Sequence, residues 1–178
     1  MKKLLLLAVI SSCMIGCTKM AGENTAANSS STNSVTSRPS PPVSPAAPKG
    51  ERGTPDEAKT MLEKAVEHYN SAGRETALAD FTAKKAPFFD RDLYVACIGP
   101  NDTLVANGGF PNLVGQSTNS WKDADGNPLG KAIRDALARN EDSIKFRWYN
   151  PTNGKIEPKV FFFRKVGNDI CGVGAYNP

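Results

Sequence analysis

The sequence predicts an α+β domain: a five-stranded antiparallel sheet with a long N-terminal helix on one face and short helices over the other, carried behind an export signal and a tether. Three observations predict it. A strong helix start at Thr54 follows a stretch too poor in large apolar residues to fold. After Pro87 the apolar pattern changes from helical to extended, and β-rich runs then alternate with Gly/Asn/Asp/Pro turns as far as Tyr176.

Residues 1–16 read as a signal peptide. Met1-Lys2-Lys3 is the basic region, Leu4 to Ile10 the apolar core, and Ser11-Ser12 opens the small-residue boundary. Such a short apolar run cannot span a bilayer as a permanent anchor. Met14-Ile15-Gly16-Cys17 resembles a bacterial lipobox, which implies cleavage before Cys17 and lipidation of its thiol. Each buried methylene of an acyl chain contributes about 0.8 kcal/mol, so a multiply acylated Cys17 holds a protein to a membrane without a transmembrane helix. The alternative is an ordinary signal peptide that leaves a soluble periplasmic protein. Thr18 in place of Asp resembles the sorting pattern of outer-membrane rather than inner-membrane lipoproteins.

Residues 17–53 are mostly Ser, Thr, Asn, Ala, Pro and Gly, with Met20, Val35 and Val43 as the larger apolar groups. A segment of this kind cannot bury enough surface to offset its ordering entropy, so it is expected to be a disordered tether, flexible in its Ser/Asn part and stiffer in its Pro part. The folded domain is expected over residues 54–178. Thr54-Pro55-Asp56-Glu57 combines an N-cap Thr, a first-turn Pro and a Glu three residues after the cap. Ala58, Met61, Leu62, Ala65, Val66 and Tyr69 then fall on one helical stripe that ends before Gly73. A second short helix is expected from Glu75 to Thr82, burying Ala77, Leu78 and Phe81. Leu93 to Ile98 and Thr103 to Asn107 form a hairpin about the turn Gly99 to Asp102. Leu129 to Arg139 is amphipathic, with Ile133, Ala136 and Leu137 inward. Ser143 to Tyr149, Ile156 to Lys165 and Ile170 to Tyr176 complete the sheet as a meander.

Composition narrows the function. Lys and Arg number 22 against 18 Asp and Glu, yet residues 54–178 hold 16 of each sign. The excess sits in the signal and tether, so a phosphate-tracking surface has no support and nucleic acid is excluded as a partner. The single His68 removes His-rich zinc sites and most Ser/His/Asp triads; with no orienting partner near it in sequence, it reads as a partly exposed helix residue. Asp123 to Pro128 lacks the spacing of an EF-hand and reads as a turn leading into a helix, so no metal or other cofactor is expected.

The order helix, hairpin, helical excursion, three-stranded meander is that of the PAS-like fold. Asp90-Arg91-Asp92-Leu93-Tyr94-Val95, Asn112 to Gly115, Lys122 to Pro128, Arg147-Trp148, Asn150-Pro151, Gly154 to Lys159 and Gly172 to Tyr176 resemble, in order, the second type of single Cache domain, over Asp56 to Tyr176. The resemblance implies an extracytoplasmic sensor of small organic acids or similar metabolites. Asn107 stands where such proteins often have His, and Tyr149 where they often have Pro. On a PAS-like sheet Cys97 and Cys171 lie in neighbouring central strands, as a disulfide in an oxidising compartment or as two buried thiols.

Strand parity gives candidate site residues. If the Asn150–Lys155 loop closes a hairpin with Tyr149 facing Ile156, then Phe146 faces Lys159, and Ile144, Phe146, Trp148, Lys159, Phe161 and Phe163 share one face. That is one ammonium in an aromatic wall, which requires an anion or a ring face. The anion is either a ligand carboxylate or Glu157; alternatively Lys159 reaches solvent, or a one-residue slip puts it outside. Tyr94 and Asn107 are placed to add hydrogen bonds to the same ligand. The leading expectation is a lipid-anchored, non-enzymatic Cache module, facing the periplasm, that binds a small organic acid and passes the signal to a protein partner, since after Tyr176 the sequence holds only Asn177-Pro178. The alternatives are an envelope structural or interaction lipoprotein without a ligand, and a hydrolase using Asp90, Asp92 or Glu157, for which no pairing of carboxylates is evident.

Overall fold

The computed structural model describes residues 51–178; the expectations for the signal peptide, Cys17 and the tether up to residue 50 lie outside the described residues. Helix α1 runs over Pro55–Ala72, and both halves of the capping box are made: Thr54 Oγ1 accepts from the Glu57 backbone and the Glu57 carboxylate accepts from the Thr54 backbone. Its stripe of Ala58, Met61, Leu62, Ala65 and Tyr69 is buried. Helix α2, Arg74–Thr82, follows across Gly73, whose φ of 85° is a conformation that favours glycine. None of the described helices is long and apolar enough to cross a membrane.

The sheet contains β1 (Phe89–Asp90), β2 (Leu93–Ile98), β3 (Leu104–Asn107), β4 (Ser143–Asn150), β5 (Lys155–Val166) and β6 (Asp169–Tyr176). Every pairing is antiparallel, in the order β1-β2-β6-β5-β4, with β3 also on β2. The expected five strands are therefore joined by a sixth of two residues, β1, too short to give a periodic signal. It pairs with the start of β2, and β3 pairs with the end of the same strand. Helix α3 (Leu129–Ala138) lies on the opposite side of the sheet from α1 and α2.

Alternation along each strand divides the core into two layers. Leu93, Val95 and Cys97 of β2 and Cys171, Val173 and Ala175 of β6 pack with α1 and α2. Ile98, Leu104, Phe161 and Phe163 pack with Leu129, Ile133 and Ala136 of the α3 layer. Cys97 and Cys171 are register partners on the helix-packed face, with sulfurs bonded at 2.07 Å.

Two polar ties were not foreseen. Asp169, wholly buried at the head of β6, accepts from Tyr69 Oη at 2.7 Å and from the Arg74 guanidinium at 2.8 and 3.1 Å, joining both helices to the sheet. His68 does have a partner: its Nε2 lies 3.0 Å from Asp80 Oδ2, across the α1–α2 hairpin, while its ring packs 4.8 Å from that of Phe88. The pair is twelve residues apart in sequence and meets only because the hairpin folds back.

The domain's contacts begin before Thr54. The Arg52 guanidinium donates to both oxygens of Glu157, at 2.7 and 2.9 Å, and Gly53 N donates to Asp92 Oδ1 at 2.7 Å. The last two residues assigned to the tether are thus fastened to β5 and to the residue preceding β2. Composition could not show this, because a bidentate ion pair needs only one residue at each end.

Candidate ligand-binding site

Between the sheet and α3 lies a cavity of about 50 Å³. β2 contributes Tyr94, Ala96 and Ile98, β4 contributes Phe146 and Trp148, and β5 contributes Lys159 and Phe161; Asn107, Trp121 and Ile133 complete much of the wall. The β4–β5 register has Tyr149 opposite Ile156 and Phe146 opposite Lys159, as parity requires, so Lys159, Phe146, Trp148 and Phe161 do share one face. All six candidate residues, Tyr94, Asn107, Phe146, Trp148, Lys159 and Phe161, line this one cavity.

Lys159 neither pairs with Glu157 nor reaches solvent. It is 3% exposed, and its Nζ donates to Tyr94 Oη at 2.7 Å and to Tyr176 Oη at 3.1 Å. The same nitrogen lies 4.2 Å from the centroid of each of these rings. Tyr176 Oη donates to the Tyr149 carbonyl at 2.8 Å, so the 3.1 Å contact between the two phenols is a bond donated by Tyr94 and accepted by Tyr176. With no salt bridge to Lys159 among the described residues, burial pulls its pKa down to about 7, against a smaller upward pull from Asp92. Burial also raises the Tyr94 and Tyr176 hydroxyls above the ordinary phenol value.

Glu157 is occupied elsewhere. Besides Arg52 it accepts from Asn150 Nδ2 at 2.9 Å and Asn153 Nδ2 at 3.2 Å, and these partners, Arg52 foremost, hold its carboxyl at about 2. Asn107 spends its side-chain oxygen on Phe110 N at 2.8 Å, while its amide nitrogen bonds to no described residue, leaving a donor on a residue of the cavity wall. The other wall residues are overwhelmingly apolar. Phe146 lies edge-on to Trp148 with centroids 6.0 Å apart, and Trp121 lies 6.2 Å from Trp148.

Gly174 makes the lysine's position available. A Cβ there would come within 2.1 Å of Lys159 Cε, so only a residue without a side chain lets the stem cross β6. Asp123 closes its own turn by accepting from the backbone nitrogens of Asp125 and Asn127.

The family model for single Cache domain 2 matches residues 50–174. The chain belongs to this family. Solved structures agree with it in fold: a methyl-accepting chemotaxis protein from Vibrio parahaemolyticus, 20% identical with a TM-score of 0.59, covers 68% of this chain and 86% of its own. The periplasmic sensor domain of a chemotaxis protein is 20% identical, with a TM-score of 0.53 over 69% and 90% of the two chains. A Cache chemosensory domain described for its carboxylic acid recognition is 18% identical, with a TM-score of 0.52 over 69% and 88%. No curated protein matches in sequence.

Within this Cache domain, the sequence reading missed Tyr176. Its signal was present: Gly172, Gly174 and Tyr176 alternate on the ligand face of β6, and Tyr176 is the register partner of Lys159. Thr118 and Trp121 of the cavity wall have no such periodicity, since a non-repeating connection brings them to the sheet.

Proposed function

We propose that this chain is an extracytoplasmic ligand sensor that binds a short-chain carboxylate between the sheet and α3, with Lys159 as the anchor of the carboxylate. The observation that carries the proposal is a buried amine on the wall of an apolar cavity with no carboxylate in ion-pair contact among the described residues, Asp92 acting on it only at longer range. As an ammonium, Nζ has three protons, of which Tyr94 and Tyr176 take two. The third, together with the Asn107 amide, suits one carboxylate, and phenols and aromatic rings compensate part of the desolvation. The cavity of about 50 Å³ is small, which favours two- or three-carbon acids over aromatic or purine metabolites. The structural neighbour described for carboxylic acid recognition supports the same ligand class.

The wider setting follows from the sequence. Cys17 carries the lipid, the segment after it tethers the domain on the periplasmic side of the envelope, most consistently at the outer membrane, and a protein partner reads the bound state. Calorimetric titration of the full chain with acetate, propionate and, as a size control, benzoate tests the ligand. Binding of the small acids that is lost in Lys159→Met supports the proposal. Absence of binding, or equal affinity in Lys159→Met, refutes it.

A further inference from the structure

A buried amine beside an apolar cavity has a second chemistry, and the hydrogen bonds of Lys159 define where it would occur. In its neutral form Nζ carries two protons and one lone pair. Tyr94 and Tyr176 accept at 2.7 and 3.1 Å and use both protons. The tetrahedral position left over then holds the lone pair, where the ammonium would hold its third proton. Lys159 itself lines the cavity together with Phe146, Trp148 and Phe161. The amine is thus free to act as a nucleophile, and a neutral nitrogen is the form that an apolar, 3% exposed setting favours.

We infer that Lys159 captures small carbonyl compounds, short aldehydes and two- or three-carbon 2-oxo acids, as a reversible Schiff base at Nζ inside this cavity. For 2-oxo acids the inference rests on the carboxylate reading of the site and deepens it. The nitrogen lone pair forms a bond to the carbonyl carbon while the C=O π pair moves to oxygen, which takes up the proton that nitrogen sheds, giving a carbinolamine. The remaining nitrogen pair then forms C=N as the hydroxyl leaves with a proton as water. The sum is amine plus carbonyl to imine plus water, with no oxidant or reductant. Tyr94 is the group placed to carry these protons, since its hydroxyl lies 2.7 Å from Nζ and stays protonated because burial raises it well above the ordinary phenol value. The apolar wall protects the imine from hydrolysis by limiting water.

Burial makes the two chemistries alternate around neutrality. With Lys159 pulled down to about 7, roughly half of it is neutral at pH 7, against about one part in a thousand or less for an ordinary lysine. The test treats the full chain at pH 7 with pyruvate and cyanoborohydride, which reduces the imine to a stable secondary amine, and maps the modified lysines by peptide mass spectrometry. Propionate, which has the same carbon skeleton without the ketone, serves as competitor and as a binding control by calorimetry. Lys159 should be modified at least about tenfold more than any other lysine, propionate should protect it, and Lys159→Met should lose that adduct. Because the map is made on the wild-type chain, the outcome does not depend on the variant folding. If pyruvate and propionate both bind but Lys159 is modified no more than surface lysines, the covalent capture is overturned and the carboxylate site stands. If acetaldehyde modifies Lys159 selectively while neither acid binds, capture stands and the carboxylate reading falls. If neither acid binds and no lysine is preferred, both fall.

Discussion

Replacing Lys159 by Met should change how stability depends on pH, in a direction that the buried site dictates. In the unfolded chain this lysine holds its proton up to about pH 10.5, whereas in the folded domain it releases it near 7. Between those values the unfolded state binds more protons, so the wild-type domain grows more stable as pH rises, and below pH 7 it carries the full cost of neutralising or burying the ammonium. At 1.36 kcal/mol per unit, the full difference is on the order of 5 kcal/mol. Lys159→Met removes the titration. It also removes the bonds to Tyr94 and Tyr176, but these set a nearly constant offset, whereas the slope belongs to the proton. The two phenols that accept from Nζ leave the slope alone from pH 7.5 to 9.5, because Tyr94 and Tyr176 are raised above the ordinary phenol value. Urea unfolding followed by the fluorescence of Trp121 and Trp148 should therefore show the wild type gaining ~2–3 kcal/mol on the variant across those two units. A gap that changes by less than about 0.5 kcal/mol would mean that the folded domain keeps Lys159 charged, and the reasoning about the cavity would fail.

Four further outcomes follow from the same contacts. Gly174→Ala should cost about 1–3 kcal/mol by overpacking against the Lys159 stem and should abolish binding of small acids, checked by thermal unfolding and calorimetry. Because the carboxyl of Glu157 lies below its unfolded value, its contribution to stability is full above pH 4.5 and is lost as pH falls from there toward about 2; Glu157→Gln should flatten that part of the acid-unfolding curve. Cys97 and Cys171 are separated by 74 residues, so replacing both by Ala should lower stability by about 4 kcal/mol in the chain-entropy account, read as a lower urea midpoint. Cys17→Ser should move the protein from the membrane to the soluble fraction, and a wild-type protein that is already soluble and unacylated would exclude the anchor.

The fold was legible wherever a segment repeats. The α1 stripe from Ala58 to Tyr69 and the alternation of β4 through Ile144, Phe146 and Trp148 are periodic, and the structure has both elements with these faces inward. Register was legible too, because the hairpin about Asn150–Lys155 fixes parity and a slip of β4 would have turned Ile144, Phe146 and Trp148 outward. What lay hidden was meeting rather than pattern. His68 finds Asp80, Arg52 finds Glu157, and Asp169 gathers Tyr69 and Arg74 through contacts that depend on how elements pack, not on spacing within any one of them. Lys159 lay between the two cases. Its face was readable, and Tyr176 lies on the alternating face of the neighbouring strand, but the crossing of β6 at Gly174 that sets Nζ between two phenols has no pattern of its own.

That face also raises the question of why no carboxylate of the described residues touches the lysine. Glu157 is two residues earlier in the same strand, hence on the same side of β5, and would be the natural partner. The structure keeps it away by giving it stronger company: a bidentate guanidinium from Arg52 and two side-chain amides satisfy its oxygens at 2.7–3.2 Å. Had Glu157 been free to turn toward Nζ, the empty domain would have gained an ion pair and lost the unpaired amine on the cavity wall. Binding of an external acid would then have to break that pair first. The Arg52 clasp thus separates two charges that would otherwise neutralise each other, and the cost of the empty site is the condition for an incoming carboxylate to gain by entering it.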